Sequence, residues 1–226
     1  MSTKKALIYE EILDRLFNGR YRFGESISVK EISEETGASR QPIMTALYRL
    51  QDNGFVKITA QVGCQVVTPT MTEVSDFFRM FASIEGLIGE LASQRATAKD
   101  IDELRIINAQ IGAIEKVGKN ASTLYRQLNV SFHKQLHKIA RSPIVCSRQL
   151  ANFELSDFYL VQTGGFDVHL DFVYEEHNRI INAIESQDGI AAGKEARAHI
   201  ESVAEHLLER LSLMYEGREV LVTTAN

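Results

Sequence analysis

Ser28-Val29-Lys30-Glu31-Ile32-Ser33-Glu34-Glu35-Thr36-Gly37-Ala38-Ser39-Arg40-Gln41-Pro42-Ile43 contains two helix starts separated by one tight turn. Ser28 and Glu31 stand at capping-box spacing, where a hydroxyl and a carboxylate can satisfy orphan amides reciprocally. Thr36-Gly37 stops that helix, because glycine supplies the left-handed residue of a tight turn. Ser39 can cap the next helix, which the spacing predicts from Arg40 to Asp52, with Pro42 tolerated in its first turn. Upstream, Leu7, Ile8, Ile12, Leu16 and Phe17 fall at helical spacing, and Asn18-Gly19 ends that segment. Downstream, Asn53-Gly54 closes the third helix. Phe55-Val56-Lys57-Ile58-Thr59 and Gln65-Val66-Val67-Thr68 then alternate like a hairpin around Val62-Gly63. Helix, helix, short turn, helix and two-stranded wing is the winged helix-turn-helix arrangement.

The third helix has two distinct sides. Ile43, Leu47 and Leu50 form its apolar stripe. The opposite side offers Arg40, Gln41, Thr45, Tyr48 and Arg49, with no acid before Asp52. Such donors suit base edges and phosphates, whereas a merely solvated face normally mixes both signs. Net charge alone does not decide the matter. The chain of 226 residues carries −5 overall, with +1 on residues 1–68 and −6 on the remainder. A near-neutral head on an acidic body can bind DNA if its cations cluster on one face.

The stretch from Val29 to Ile43, continued by Ala46-Leu47-Tyr48-Arg49-Leu50-Gln51-Asp52-Asn53-Gly54-Phe55-Val56 and the Gly63 turn, resembles the operator-binding head of GntR-family bacterial transcription regulators. The resemblance covers essentially residues 5–69. It implies that Arg40 and Arg49 contact DNA backbone and bases, and that the wing near Gly63 approaches the minor groove. Ser39, Arg40, Gln41, Thr45, Arg49 and Gly63 are thus the candidate DNA-contacting residues. One departure stands out: Met44-Thr45 replaces the Arg-Glu pair common in the family, so one basic contact is missing. An uncharged Met44 could contact a thymine methyl instead.

Thr68-Pro69-Thr70-Met71-Thr72 reads as a linker, placing a head at 1–69, a junction at 70–72 and a second domain at 73–214. That domain reads as an all-α bundle of six or seven helices, near 73–94, 98–117, 121–141, 144–162, 168–186 and 189–214. Residues 215–226 are expected to form a flexible tail. The fold class is therefore mainly α, a winged helix-turn-helix followed by a helical bundle.

Six histidines fall in this second domain. Asn129 and His133 are four residues apart on one helix and share a face. His177 and His199 lie on two further helices. Three imidazoles and one amide oxygen could converge inside the bundle as a set suited to a divalent transition metal. The alternative is that they are separate, partly buried hydrogen-bonding residues.

Asn129-Val130-Ser131-Phe132-His133, with Glu176-His177 and His199 downstream, is similar to the FadR-type ligand-binding domain (FCD) found behind GntR heads. In metal-binding members an Asp and three His hold a divalent ion, often zinc or nickel. Here Asn129 takes the Asp position, so the ligand set lacks that negative charge. Two readings stay open: a metal held by Asn129, His133, His177 and His199, or histidines that bind an effector carboxylate directly. His137 is a possible spare ligand, and His169 and His206 are expected at the surface. The family often carries Arg-x-x-Leu-Glu on the domain's first helix, where this chain has Phe81-Ala82-Ser83-Ile84-Glu85. Phe81 is accordingly a candidate effector-contacting residue or ordinary core, with Arg79 pointing elsewhere.

The implied function is a ligand-responsive regulator, a repressor, that binds a palindromic operator as a homodimer and answers to a small organic acid. Two other classes compete: a metal-dependent hydrolase or lyase using the histidines, and a direct metal sensor. No general-base motif, nucleophile elbow or phosphate loop supports the enzyme. No apolar run is long enough for a membrane span, and acidic Glu10, Glu11 and Asp14 interrupt the N-terminal segment where a signal peptide needs apolar residues. Cys64 and Cys146 are too few and too far apart for a disulfide scaffold, so a cytoplasmic location is expected.

Overall fold

A computed structural model describes residues 4–114, 121–164 and 172–223. The chain divides into two compact units, Met1–Thr70 and Met71–Asn226.

In the first unit α1 (Lys4–Phe17) packs Ile12 and Leu16 against α3 (Arg40–Asp52). Between them lies α2 (Val29–Thr36), ended by Gly37 in the left-handed conformation at φ 66°. Ile43, Leu47 and Leu50 are all fully buried, as the apolar stripe predicts. The wing pairs β2 (Val56–Thr59) with β3 (Gly63–Val66), Val56 opposite Val66 and Ile58 opposite Cys64. A two-residue strand, β1 (Ser26–Ile27), adds to the other edge of β3 and makes a three-stranded antiparallel sheet.

Two caps differ from expectation. Ser28 Oγ accepts from the Glu31 amide at 3.2 Å, but the Glu31 carboxylate turns to Arg20 instead of closing the box. Arg20 also bonds Glu35, so the guanidinium bridges two acids of α2 and outcompetes a single capping amide. Ser39 holds the N-cap position with extended backbone, yet its side chain makes no capping bond.

The second unit contains six helices among the described residues. They are α4 (Met71–Arg95), α5 (Ala98–Gly112), α6 (Ala121–Ala140), α7 (Pro143–Thr163), α8 (Val173–Glu185) and α9 (Gly189–Thr223). Ile88, Leu104, Phe132, Leu136, Ile180 and Ile184 form the centre of the core. Thr97 and Asp100 close a full capping box on α5. α5 ends at Gly112 and not near 117, and part of the expected fifth segment, 168–186, with His169, lies outside the described residues. α9 runs past residue 214 to Thr223, into the segment expected as a tail.

The closest helix pair is α4 with α9. A Cβ added at Gly89 would stand 2.6 Å from the Ala192 carbonyl oxygen, and one at Gly86 would stand 3.0 Å from that of Gly193. Glycine is required at Gly89, where the two backbones touch, and the approach at Gly86 is only slightly less close.

Candidate functional site

The exposed side of α3 presents Arg40, Gln41, Thr45, Tyr48 and Arg49. Arg40, Met44 and Tyr48 border a groove whose opposite bank is the wing turn at Gln61, Val62 and Gly63. Gly63 (φ +129°) lies in a region that favours glycine, and a Cβ there would meet nothing within 4 Å. Arg49 Cζ stands over the Tyr9 ring, 3.9 Å from its centroid, so its guanidinium is held against α1. The Thr45 hydroxyl donates to the Gln41 carbonyl at 3.0 Å, leaving its oxygen to accept and its methyl exposed. Ser39 is exposed and uncommitted to its helix.

Inside the helical unit, His133 (α6), His177 (α8) and His199 (α9) converge, with one ligand atom from each lying within 4.8 Å of the others. All three are essentially inaccessible. Their Nδ1 atoms are each held by an oxygen. Glu85 Oε1 on α4 takes His133 at 2.9 Å, Glu176 Oε2 on α8 takes His199 at 2.8 Å, and Asn108 Oδ1 on α5 faces His177 at 3.2 Å. Asn108 donates its own amide hydrogens to the Tyr174 carbonyl and to Asn178 Oδ1, so its oxygen is left to accept from His177. Phe132 stacks on the His177 ring, 3.7 Å between centroids and nearly parallel.

These contacts fix the tautomers. A histidine that donates through Nδ1 keeps its Nε2 lone pair available, the arrangement typical of metal-ligating imidazoles. His133 Nε2 and His199 Nε2 lie 3.2 Å apart. Two ligands on a tetrahedral centre with bonds of 2.0–2.1 Å are about 3.3 Å apart, so the spacing fits zinc. Burial pulls His133 down to about 4, against the raising influence of Glu85, so neutral imidazole is its form near neutral pH. Asn129, one turn before His133, is buried, and its Oδ1 has no hydrogen-bond partner. A buried carbonyl oxygen left unsatisfied costs about 1–3 kcal/mol unless something fills its lone pairs. The described residues therefore fit a divalent cation.

His137 is not a spare ligand. Its Nε2 turns toward Glu85, at 3.1 Å from Oε2, so one carboxylate serves both His133 and His137. Gln149 Nε2 donates to the same Oε2 at 2.8 Å. Burial opposes ionisation of Glu85 most strongly, but the two histidines together outweigh it and hold the carboxyl well below the usual range. His206 is half-buried and donates to the Ser202 carbonyl, not fully at the surface as expected. Glu85, Glu176 and Asn108 are the residues that sequence reasoning did not assign. Glu85 left a signal, as an acid on the buried stripe of Phe78, Ala82, Ile88 and Ala92.

Phe81 is fully buried, stacked on Phe77 and edge-on to Phe153 at 4.9 Å. Phe153 lies 4.3 Å from the His133 ring, so Phe81 stands one aromatic ring away from the cluster. Arg79 is exposed beside Asp76.

Residues 76–202 match the FCD domain, and residues 4–66 match the bacterial regulatory proteins of the gntR family. The chain is a GntR-family transcription regulator with an FCD domain. Among its relatives, the HTH-type transcriptional regulator YdhC of Bacillus subtilis is 27% identical over 93% of this chain and 92% of its own. The HTH-type transcriptional repressor RspR of Escherichia coli is 26% identical over 80% of this chain and 79% of its own. Among solved structures, a GntR regulator from a Rhodococcus species superposes with a TM-score of 0.73 at 14% identity, covering 92% of this chain and 99% of that one. E. coli McbR/YncC gives 0.71 at 16%, covering 95% and 100%. At such identities these two likenesses speak for the GntR fold. The matched families and relatives are transcription regulators, which decides against the hydrolase or lyase reading. No helix among the described residues of this GntR regulator is long and apolar enough to cross a membrane.

Proposed function

We propose that this GntR regulator is a cytoplasmic repressor that binds a palindromic operator as a homodimer and is modulated by a small carboxylate at a metal centre in its FCD domain. The observation that carries the DNA half is the exposed face of α3, which has no acid before Asp52, beside the glycine turn of the wing. Ser39, Arg40, Gln41, Thr45 and Arg49 would meet the major groove and Gly63 the minor groove, with half-sites about 34 Å apart in a two-fold dimer. The relative RspR is a repressor, which supports the direction of regulation.

In the FCD domain, Asn129, His133, His177 and His199 would hold the ion, zinc or nickel, and Glu85, Glu176 and Asn108 would orient the imidazoles. The bound ion would supply a Lewis-acid centre for an anionic effector. With Phe81 where the family places an arginine, this chain offers an aromatic wall and no second cation at that position. The effector acts by differential affinity for two arrangements of the protein.

The test starts with selection of duplexes from a random pool, followed by fluorescence anisotropy on the enriched sequence. Zinc and candidate organic acids are then titrated separately and together. Recovery of a palindrome whose affinity changes only when zinc and an acid are both present supports the proposal. A change with zinc alone would replace it by a direct metal sensor, and absence of any enriched sequence would refute the DNA half.

A further inference from the structure

Where α6 turns into α7, a cavity of about 390 Å³ opens on the FCD domain, outside the imidazole cluster. Pro143, Cys146 and Leu150 give it an apolar floor, and Lys134, Lys138 and Arg141 stand around it. His137, more than nine-tenths buried, forms part of its wall. The three cations differ in what they are free to do. Arg141 is committed to Asp100 Oδ2 at 3.1 Å and to the Arg95 carbonyl. Lys138 is well exposed, 3.8 Å from Glu103, and donates a long hydrogen bond of 3.4 Å to Gln135 Oε1. Lys134 has no ion-pair partner within 4 Å among the described residues. Lys134 and Lys138, one turn apart on α6, thus border an apolar floor, in a cavity whose volume is at the lower end of ligand cavities, roughly 300–1,000 Å³.

We propose that this cavity is a second ligand site, one that takes a short-chain monocarboxylate with its tail on Pro143, Cys146 and Leu150 and its head between Lys134 and Lys138. The apolar floor selects against inorganic anions, and the lysines select against the neutral alcohol of the same length. The site requires neither the metal nor DNA, so it can fail or stand independently of the function proposed above.

Cys146 provides the measurement. Of the two cysteines, Cys64 is buried in the wing, where burial pushes its thiol up to about 11 and keeps it protonated and slow to react. Cys146 is only half-buried and lines the cavity. The rate of Cys146 alkylation by uncharged iodoacetamide on the full-length protein therefore reports occupancy. Hexanoate at ten times its Kd should slow labelling roughly tenfold, since about a tenth of the sites remain open. Hexanol at the same concentration should not. The Lys134→Glu/Lys138→Glu double variant, altered only at exposed positions, should label at the same rate with and without hexanoate. His177→Gln, which changes the cluster and not the cavity wall, should keep full protection. Absence of protection up to about 10 mM hexanoate, equal protection by hexanol, or protection that survives in the double lysine variant would each overturn the site. Protection lost in His177→Gln would move the hexanoate to the imidazole cluster and overturn it as well.

Discussion

His133 Nε2 and His199 Nε2 face each other at 3.2 Å while the Nδ1 of each is engaged by a buried carboxylate, Glu85 for one and Glu176 for the other. Two imidazoles so oriented present lone pairs to each other. Those lone pairs repel unless a proton or a cation lies between them, so the acids two positions removed are what make the site attractive to metal. Glu176→Gln should weaken zinc binding by about 10–100-fold, the usual cost of losing such an orienting partner. Competition with a chromophoric chelator measures it. An affinity within twofold of wild type would show that Glu176 does not orient a ligand.

Asn129 tests the charge of the same site. Its Oδ1 is buried and has no hydrogen-bond partner, so Asn129→Asp should place a carboxylate oxygen there without moving the helix. Zinc affinity is expected to rise by about tenfold, a modest share of the attraction between a carboxylate and a divalent ion. Binding of an anionic effector should weaken in parallel. Calorimetry with zinc, then with organic acids, follows both. Unchanged zinc affinity would remove Asn129 from the ligand set.

Arg40 and Arg49 separate affinity from stability in the head. Arg40→Ala should lower the salt slope of operator binding by about 0.9 and leave the melting temperature unchanged. Arg49→Ala should lower the slope similarly but also cost about 0.5–1 kcal/mol, because it removes the cation above the Tyr9 ring. Anisotropy across a salt series and thermal denaturation distinguish the two. Wild-type salt dependence in both variants would rule out docking through α3.

Asp157 predicts a pH effect on stability. Burial raises its carboxyl from 3.8 to about 6, only partly offset by Arg126 at 3.1 Å. The folded state therefore prefers the protonated acid. That preference contributes fully below the unfolded value and is lost as pH rises through about 6. The range corresponds to at most about 3 kcal/mol. Asp157→Asn should flatten the decline in stability between about pH 4 and 6 measured by urea denaturation. A parallel pH profile in the variant would refute this.

Legibility in the sequence followed the range of the interactions. The head was readable because its helix starts, its Gly37 turn and the apolar stripe of Ile43, Leu47 and Leu50 are local signals. β1 was not readable, since two residues carry no alternation and Ser26–Ile27 exist as a strand only through the edge of β3. Half of the expected capping box was lost to Arg20, a competitor eleven residues away from Glu31. The histidines of the site could be named from their helices, but not the acids behind them. Glu85 meets His133 across 48 positions, and no spacing rule reaches that far. The same long-range contact diverted His137 from the cluster.

Gly89→Ala should be among the more damaging small substitutions in the FCD domain. The added methyl would lie 2.6 Å from the Ala192 carbonyl oxygen and 2.9 Å from Ala196 Cβ. Overpacking of this kind costs about 1–3 kcal/mol or more, a fall in Tm of about 5 °C or greater. Gly217→Ala, on the same α9 but with nothing within 4 Å, should be neutral or slightly stabilising. Equal effects of the two in differential scanning calorimetry would contradict the tight crossing.

That crossing also decides which parts of the FCD domain travel together. Helices separated by a layer of side chains can slide by an ångström or two as rotamers adjust. α4 and α9 touch backbone to backbone at Gly89 and Ala192 and have no such layer to shear, so they form a single strut. The strut carries both Glu85 and His199, while His133 and His177 ride on separate helices. An ion held by the three imidazoles would tie α6 and α8 to one stiff beam. The beam begins at Met71, the residue that follows the head unit in the chain, so the helix that carries Glu85 is also the one to which the head is joined.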